Sequence, residues 1–109
     1  MTDKRIVLTT VGSEEEARKI AGHLVEHKLA ACVNIIPRME SIYRWRNKVE
    51  SAQEWLLLIK TTSEAFAAVR DAIRDLHSYE LPECVLLVIE DGSPEYLEWL
   101  ADSVRVSTD

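Results

Sequence analysis

Between Leu76 and Cys84 the chain reads LHSYELPEC, which sets an imidazole, a phenol, two carboxylates and a thiol within nine positions. Copper(II) and zinc take such ligands, usually three or four of them converging at about 2 Å. His77, Glu80, Glu83 and Cys84 have that chemistry but no recognised ligand spacing. The structural alternative puts His77 at the C-terminal end of a helix, where the dipole favours its charged form. Pro82 then sets the loop and Cys84 opens a buried strand. His77, Tyr79 and Glu83 also supply acid and base groups. No nucleophile elbow, P-loop or glycine-rich phosphate cradle accompanies them, and the chain is not expected to be an enzyme. His23 and His27, four apart on a helix, have chelating spacing, but a solvated helix face is the simpler explanation.

These groups must be positioned by regular elements. Lys4 to Val11 reads as a β-branched strand that stops at Gly12. A helix over about Ser13 to Lys28 follows. Ser13 and Glu16 form a capping box there, and Ala17, Ile20, Ala21, Leu24 and Val25 make an apolar stripe. Ala31 to Ile36 is a second strand ended by Pro37, and Glu40 to Arg46 resumes in extended form with Tyr43 and Trp45 on one face. A turn at Asn47-Lys48 pairs Ser41 to Arg46 with Val49 to Trp55 as a long hairpin. Thr61, Thr62 and Ser63 offer caps for a second helix, whose buried stripe is Ala65, Phe66, Val69, Ala72, Ile73 and Leu76. Cys84 to Ile89 forms a fourth strand. Ser93 and Pro94 start a third helix with Leu97, Leu100, Ala101 and Val104 inward, and the tail after Arg105 is expected to fray. Strand, helix, strand, strand, helix, strand is the split β-α-β order. The fold class is therefore α+β, a ferredoxin-like sandwich with a long β-hairpin and an additional C-terminal helix. One short third helix cannot cover the second sheet face, and self-association is the simplest remedy.

The chain has 109 residues, 47% hydrophobic and 29% charged, which suits a single domain over residues 1–109. Thirteen basic against nineteen acidic residues give a net charge of −6, which favours cationic partners over nucleic acid. An RNA-recognition module of similar topology needs aromatic residues in its central strands, and Ile6 to Thr10 has none. An acylphosphatase needs an arginine-bearing phosphate loop after the first strand, where Val11 to Glu16 is acidic instead. Cys32 and Cys84 lie in apolar runs without CxxC spacing, and no long apolar N-terminal segment is present. A reduced, cytoplasmic protein without membrane contact is expected.

Leu29-Ala30-Ala31-Cys32-Val33-Asn34, Tyr43-Arg44-Trp45 with Lys48-Val49-Glu50, Leu58-Ile59-Lys60-Thr61, His77 to Glu83, and Tyr96 to Leu100 occur in that order. Together they resemble the CutA family of divalent-cation tolerance proteins over nearly the whole chain. The resemblance implies a cytoplasmic homotrimer linked to tolerance of copper and other divalent metals, with copper(II) or another divalent ion bound but no obligatory cofactor. The architecture is also similar to that of PII signalling trimers, which implies small-molecule clefts between subunits. A structural trimer presenting a partner-binding surface is the further alternative. The coinciding motifs place Tyr43, Trp45, Glu50, Lys60, Tyr79 and Pro82 in a candidate intersubunit cleft with His77 and Glu83. On the same resemblance His77 and Glu83 are the candidate metal ligands. The sequence departs from the family pattern at Arg46-Asn47, where glycine is usual. It departs again at Thr9 and Leu76, where some members carry a thiol and a second histidine.

Overall fold

The computed structural model describes residues 2–105. The elements are β1 (Lys4–Val11), α1 (Glu14–Glu26), β2 (Cys32–Trp45), β3 (Lys48–Thr62), α2 (Phe66–Leu76), β4 (Val85–Val88) and α3 (Pro94–Ser103). The strands form one antiparallel sheet in the order β2-β3-β1-β4. This is the expected α+β, ferredoxin-like arrangement. The expected fraying tail falls on residues 106–109, outside the described residues.

Alternation along the strands decides which face is closed. Val7 and Val11 on β1 and Leu57 and Ile59 on β3 meet Ile20 and Leu24 of α1 and Val69 and Ile73 of α2, all fully buried. Each such side chain contributes roughly 1.5 to 3 kcal/mol on leaving water. Helix α1 starts where expected, with the Ser13 hydroxyl accepting the Glu16 N–H at 3.1 Å. It stops earlier than the expected Lys28, which instead takes a left-handed backbone with φ of 60°. Helix α2 starts later than the Thr61-Thr62-Ser63 signal suggests. Thr62 Oγ1 accepts the Ala65 N–H at 3.3 Å and first closes a turn, while Thr61 belongs to β3 and donates to the Leu29 carbonyl at 2.6 Å.

Two details of the β2–β3 hairpin differ from the sequence reading. Strand β2 does not end at Pro37. It continues through a bulge between Ile36 and Met39, with Arg38 at φ 54°. A bulge is one of the few sheet positions where proline's missing N–H costs no ladder bond. The turn also lies one residue earlier than expected, since Trp45 pairs with Lys48 and Arg46-Asn47 makes the reversal at φ 51° and 67°. A two-residue type I′ turn needs positive φ at both central positions, so Arg46 must share the strain that Asn47 tolerates well.

On the second face α3 packs against β1 and β3, with Leu100 fully buried and the Lys60 ammonium 5.7 Å from the centre of the Tyr96 ring. It covers only part of that face. Ile36, Val85 and Leu87 stay 43%, 44% and 45% exposed. Among the described residues no helix is long and apolar enough to cross a membrane.

Candidate functional site

The loop from α2 to β4 is fixed by a buried imidazole. The His77 side chain is fully buried; its Nε2–H donates to the Thr10 carbonyl at 2.7 Å and its Nδ1 accepts the Tyr79 N–H at 3.1 Å. Those two roles define the neutral tautomer with the proton on Nε2. His77 does occupy the C-cap of α2, and its own N–H bonds the Ile73 carbonyl at 2.9 Å. Its ring, however, does not serve the helix end as a cation. It ties the loop to β1, and both nitrogens are engaged. The Glu16 carboxylate approaches Nδ1 to 3.5 Å, and its Oε2 is buried without a hydrogen-bond partner among the described residues. Glu16 thus leaves the reciprocal half of the capping box unmade and turns toward the ring.

Tyr79 extends the same arrangement outward. Its hydroxyl donates to Glu54 Oε2 at 2.8 Å, and its ring centre is 4.6 Å from that of His77. Burial, then the hydrogen bond and charge of Glu54, push its phenol above the ordinary tyrosine value and keep it a donor. Gly12 permits this approach, because a Cβ there would lie 3.1 Å from the Tyr79 hydroxyl oxygen.

Between this loop and one face of the hairpin arm lies a cavity of about 550 Å³. The bulge sets that face: Ile36 opposes Leu56 before it and Met39 opposes Glu54 after it, so Met39, Ser41, Tyr43 and Trp45 share one side with Glu50 and Glu54. The structure brings Tyr43, Trp45, Glu50, Tyr79 and Glu83 together around this space. Lys60, Pro82 and His77 do not line it. Lys60 lies opposite Ile6 and Cys32 under Tyr96, and Pro82 stays within the loop. Glu54, only 7% exposed, was missed by sequence reasoning, as were Thr10, Met39 and Glu80 as lining groups. A lone acid in the apolar strand run EWLLLI was the available signal for Glu54. At the rim Arg46 reaches Glu80 at 3.3 Å, and its guanidinium lies 5.3 Å from the Trp45 ring centre.

The remaining ligand-type residues do not converge. Cys32 and Cys84 are both free thiols, and burial raises the Cys84 pKa and so disfavours the thiolate. His23 and His27 stack at 4.1 Å, with His27 Nδ1 bonded to the His23 carbonyl. Among the described residues no three His, Cys, Asp or Glu side chains are grouped to hold a metal ion.

Fold and site together define a class: a ferredoxin-like sandwich whose hairpin arm forms an acid-lined cavity with the α2–β4 loop. The model of the CutA1 divalent ion tolerance protein family matches residues 5–103, and the chain belongs to that family. The divalent-cation tolerance protein CutA of Thermus thermophilus is 52% identical over 100 residues, covering 92% of this chain and 97% of that protein. A solved structure of the divalent cation tolerance protein from Thermus thermophilus aligns with a TM-score of 0.92 at 51% identity, over 94% of this chain and 99% of that one. A structure from Archaeoglobus fulgidus, described as a periplasmic divalent cation tolerance protein, aligns at 0.91 and 43% identity over 94% and 99%.

Proposed function

We propose that the chain binds or senses divalent metal ions, copper(II) among them, as a cytoplasmic homotrimer that acts by binding and not by catalysis. The observation that carries metal binding is the wall of Glu50, Glu54, Glu80 and Glu83 around one cavity that, among the described residues, no Lys or Arg lines. Carboxylate oxygens suit hard divalent cations, and copper(II) adds affinity for any nitrogen donor brought to them. The carboxylates of one chain are not grouped as a complete ligand set, so in this reading a neighbouring subunit completes it. The partly covered sheet face and the projecting arm support such an assembly. A binding role is supported by His77 and Tyr79, two acid-base groups of the α2–β4 loop that are both committed to internal hydrogen bonds. Two free thiols support a reducing compartment. The Archaeoglobus protein's description points to the periplasm, and recovery of this chain in a periplasmic fraction would overturn the cytoplasmic assignment.

Calorimetric titration of copper(II) tests the metal reading. Saturable binding by the assembled protein is expected, weakened by about tenfold or more in Glu83→Gln. In His77→Ala the stoichiometry should persist while stability falls, because the imidazole holds the loop. Absence of saturable binding, or equal affinity in Glu83→Gln and Glu50→Gln, would overturn it. A second reading, a PII-like small-molecule sensor, is favoured by the size and aromatic lining of the same cavity.

A further inference from the structure

The cavity's shape and charge point beyond a single ion. A volume of about 550 Å³ falls in the range of small-molecule sites, roughly 300 to 1,000 Å³. A bare divalent ion needs its donors gathered at about 2 to 2.6 Å. Here, among the described residues, no three carboxylates are gathered to hold an ion, and Tyr43, Trp45, Tyr79 and Met39 line the same wall. Ungrouped anions on a wall shared with apolar and aromatic surface match a ligand whose positive charges are separated by methylenes.

Glu54 makes the need for a cation specific. It is more than nine-tenths buried, it lines the cavity, and one of its oxygens accepts the Tyr79 hydroxyl. Among the described residues no Lys, Arg or His lies within ion-pair distance of it, and no second hydrogen bond reaches it. A mostly buried carboxylate without a counter-charge is costly, and a ligand ammonium entering the cavity would supply that charge. The rim already holds a tethered cation in the same setting. Arg46 extends from the hairpin turn to Glu80 while its guanidinium lies near Trp45, an internal counterpart of an ammonium group between carboxylate and indole.

We propose that this cavity binds a linear di- or polyammonium cation, with one ammonium at Glu54, the chain along Tyr43 and Trp45, and a distal ammonium exchanging with Arg46 for Glu80. The inference rests on the small-molecule reading of the cavity, and in it a divalent ion competes with the ammonium groups for the same carboxylates. Spermidine is the probe, titrated into the intact protein at physiological ionic strength and followed by calorimetry and tryptophan fluorescence. Saturable binding is expected, with a fluorescence change lost in Trp45→Phe and affinity reduced at least about tenfold in Glu54→Gln. Should Glu54→Gln fail to fold, the exposed pair Glu50→Gln with Glu83→Gln gives the same reading. Glu64→Gln, on the exposed approach to α2, should leave affinity unchanged. Arg46→Ala should tighten binding, since it frees Glu80. No saturation by about 10 mM spermidine would overturn the proposal, as would equal affinity in the cavity variants or full replacement of spermidine by magnesium at matched charge. Copper binding without spermidine binding would leave the metal reading intact and sink this one; spermidine binding without copper would do the reverse.

Discussion

Tyr79 and Glu54 form a partly buried hydrogen bond on the wall of the cavity, and the phenol is open to titration. The phenol's pKa is raised in the folded protein, so its contribution to stability is complete below the ordinary tyrosine value of about 10. It is lost as pH rises from there toward the shifted value. The expected outcome is that the most alkaline step in the phenolate absorbance belongs to Tyr79 and disappears in Tyr79→Phe, while the earlier part of the curve is unchanged. A curve that loses amplitude at its acid end would place the shift elsewhere. At this scale the sequence was legible in part. His77, Tyr79 and Glu83 stood out by chemical type, and the family motif drew in Tyr43, Trp45 and Glu50. What hid Glu54 and Glu16 is that their roles come from pairing across elements. Glu54 meets Tyr79 only because β3 passes the α2–β4 loop, and Glu16 turns from the cap its spacing predicts toward a ring sixty-one residues later. Pairing across elements also separates Lys60 from the cavity, since its strand position faces α3.

At the scale of elements, periodicity and punctuation fixed the order of strands and helices, and β1 matches its expected bounds. The misses lie where one residue's backbone freedom depends on a neighbour. Pro37 read alone as a strand end, yet with Arg38 in the left-handed region it makes a bulge that keeps β2 on the sheet. Asn47 was recognised as tolerant, but the turn also enlists Arg46. The turn supplies a direct test. Asn47→Gly should raise the urea midpoint or leave it unchanged, and Asn47→Ala should cost about 1 kcal/mol, because a Cβ without a local hydrogen-bonding group is disfavoured at φ 67°. Equal midpoints for the two variants would show that the turn bears no such strain.

For the molecule as a whole, burial settles one face and leaves the other in need of a partner. Ile36, Val85 and Leu87 lie on the partly covered face, and Ile42 and Val49 on the arm are 71% and 66% exposed. In the trimeric assembly proposed above, sedimentation at micromolar concentration should give a trimer, and Leu87→Asp should shift it toward smaller species while the far-ultraviolet dichroism is retained. A wild-type monomer would sink the assembly. The need for cover was legible from strands apolar on both faces; what supplies it was not, because sequence patterning records burial and not its source. The bulge at Pro37-Arg38 carries a consequence for how such molecules can diverge. Below it the even-numbered side chains of β2 share the face of Leu56, and above it the odd-numbered ones do. The arm from Met39 to Glu54 is thus a cassette joined to the base in opposite phase. Adding one residue to each strand beside the turn lengthens it and leaves the existing lining in place. Ironing out the bulge, with no residue changed, would exchange Tyr43 and Trp45 for Ile42 and Arg44 and give the same gene product a cavity of altered charge.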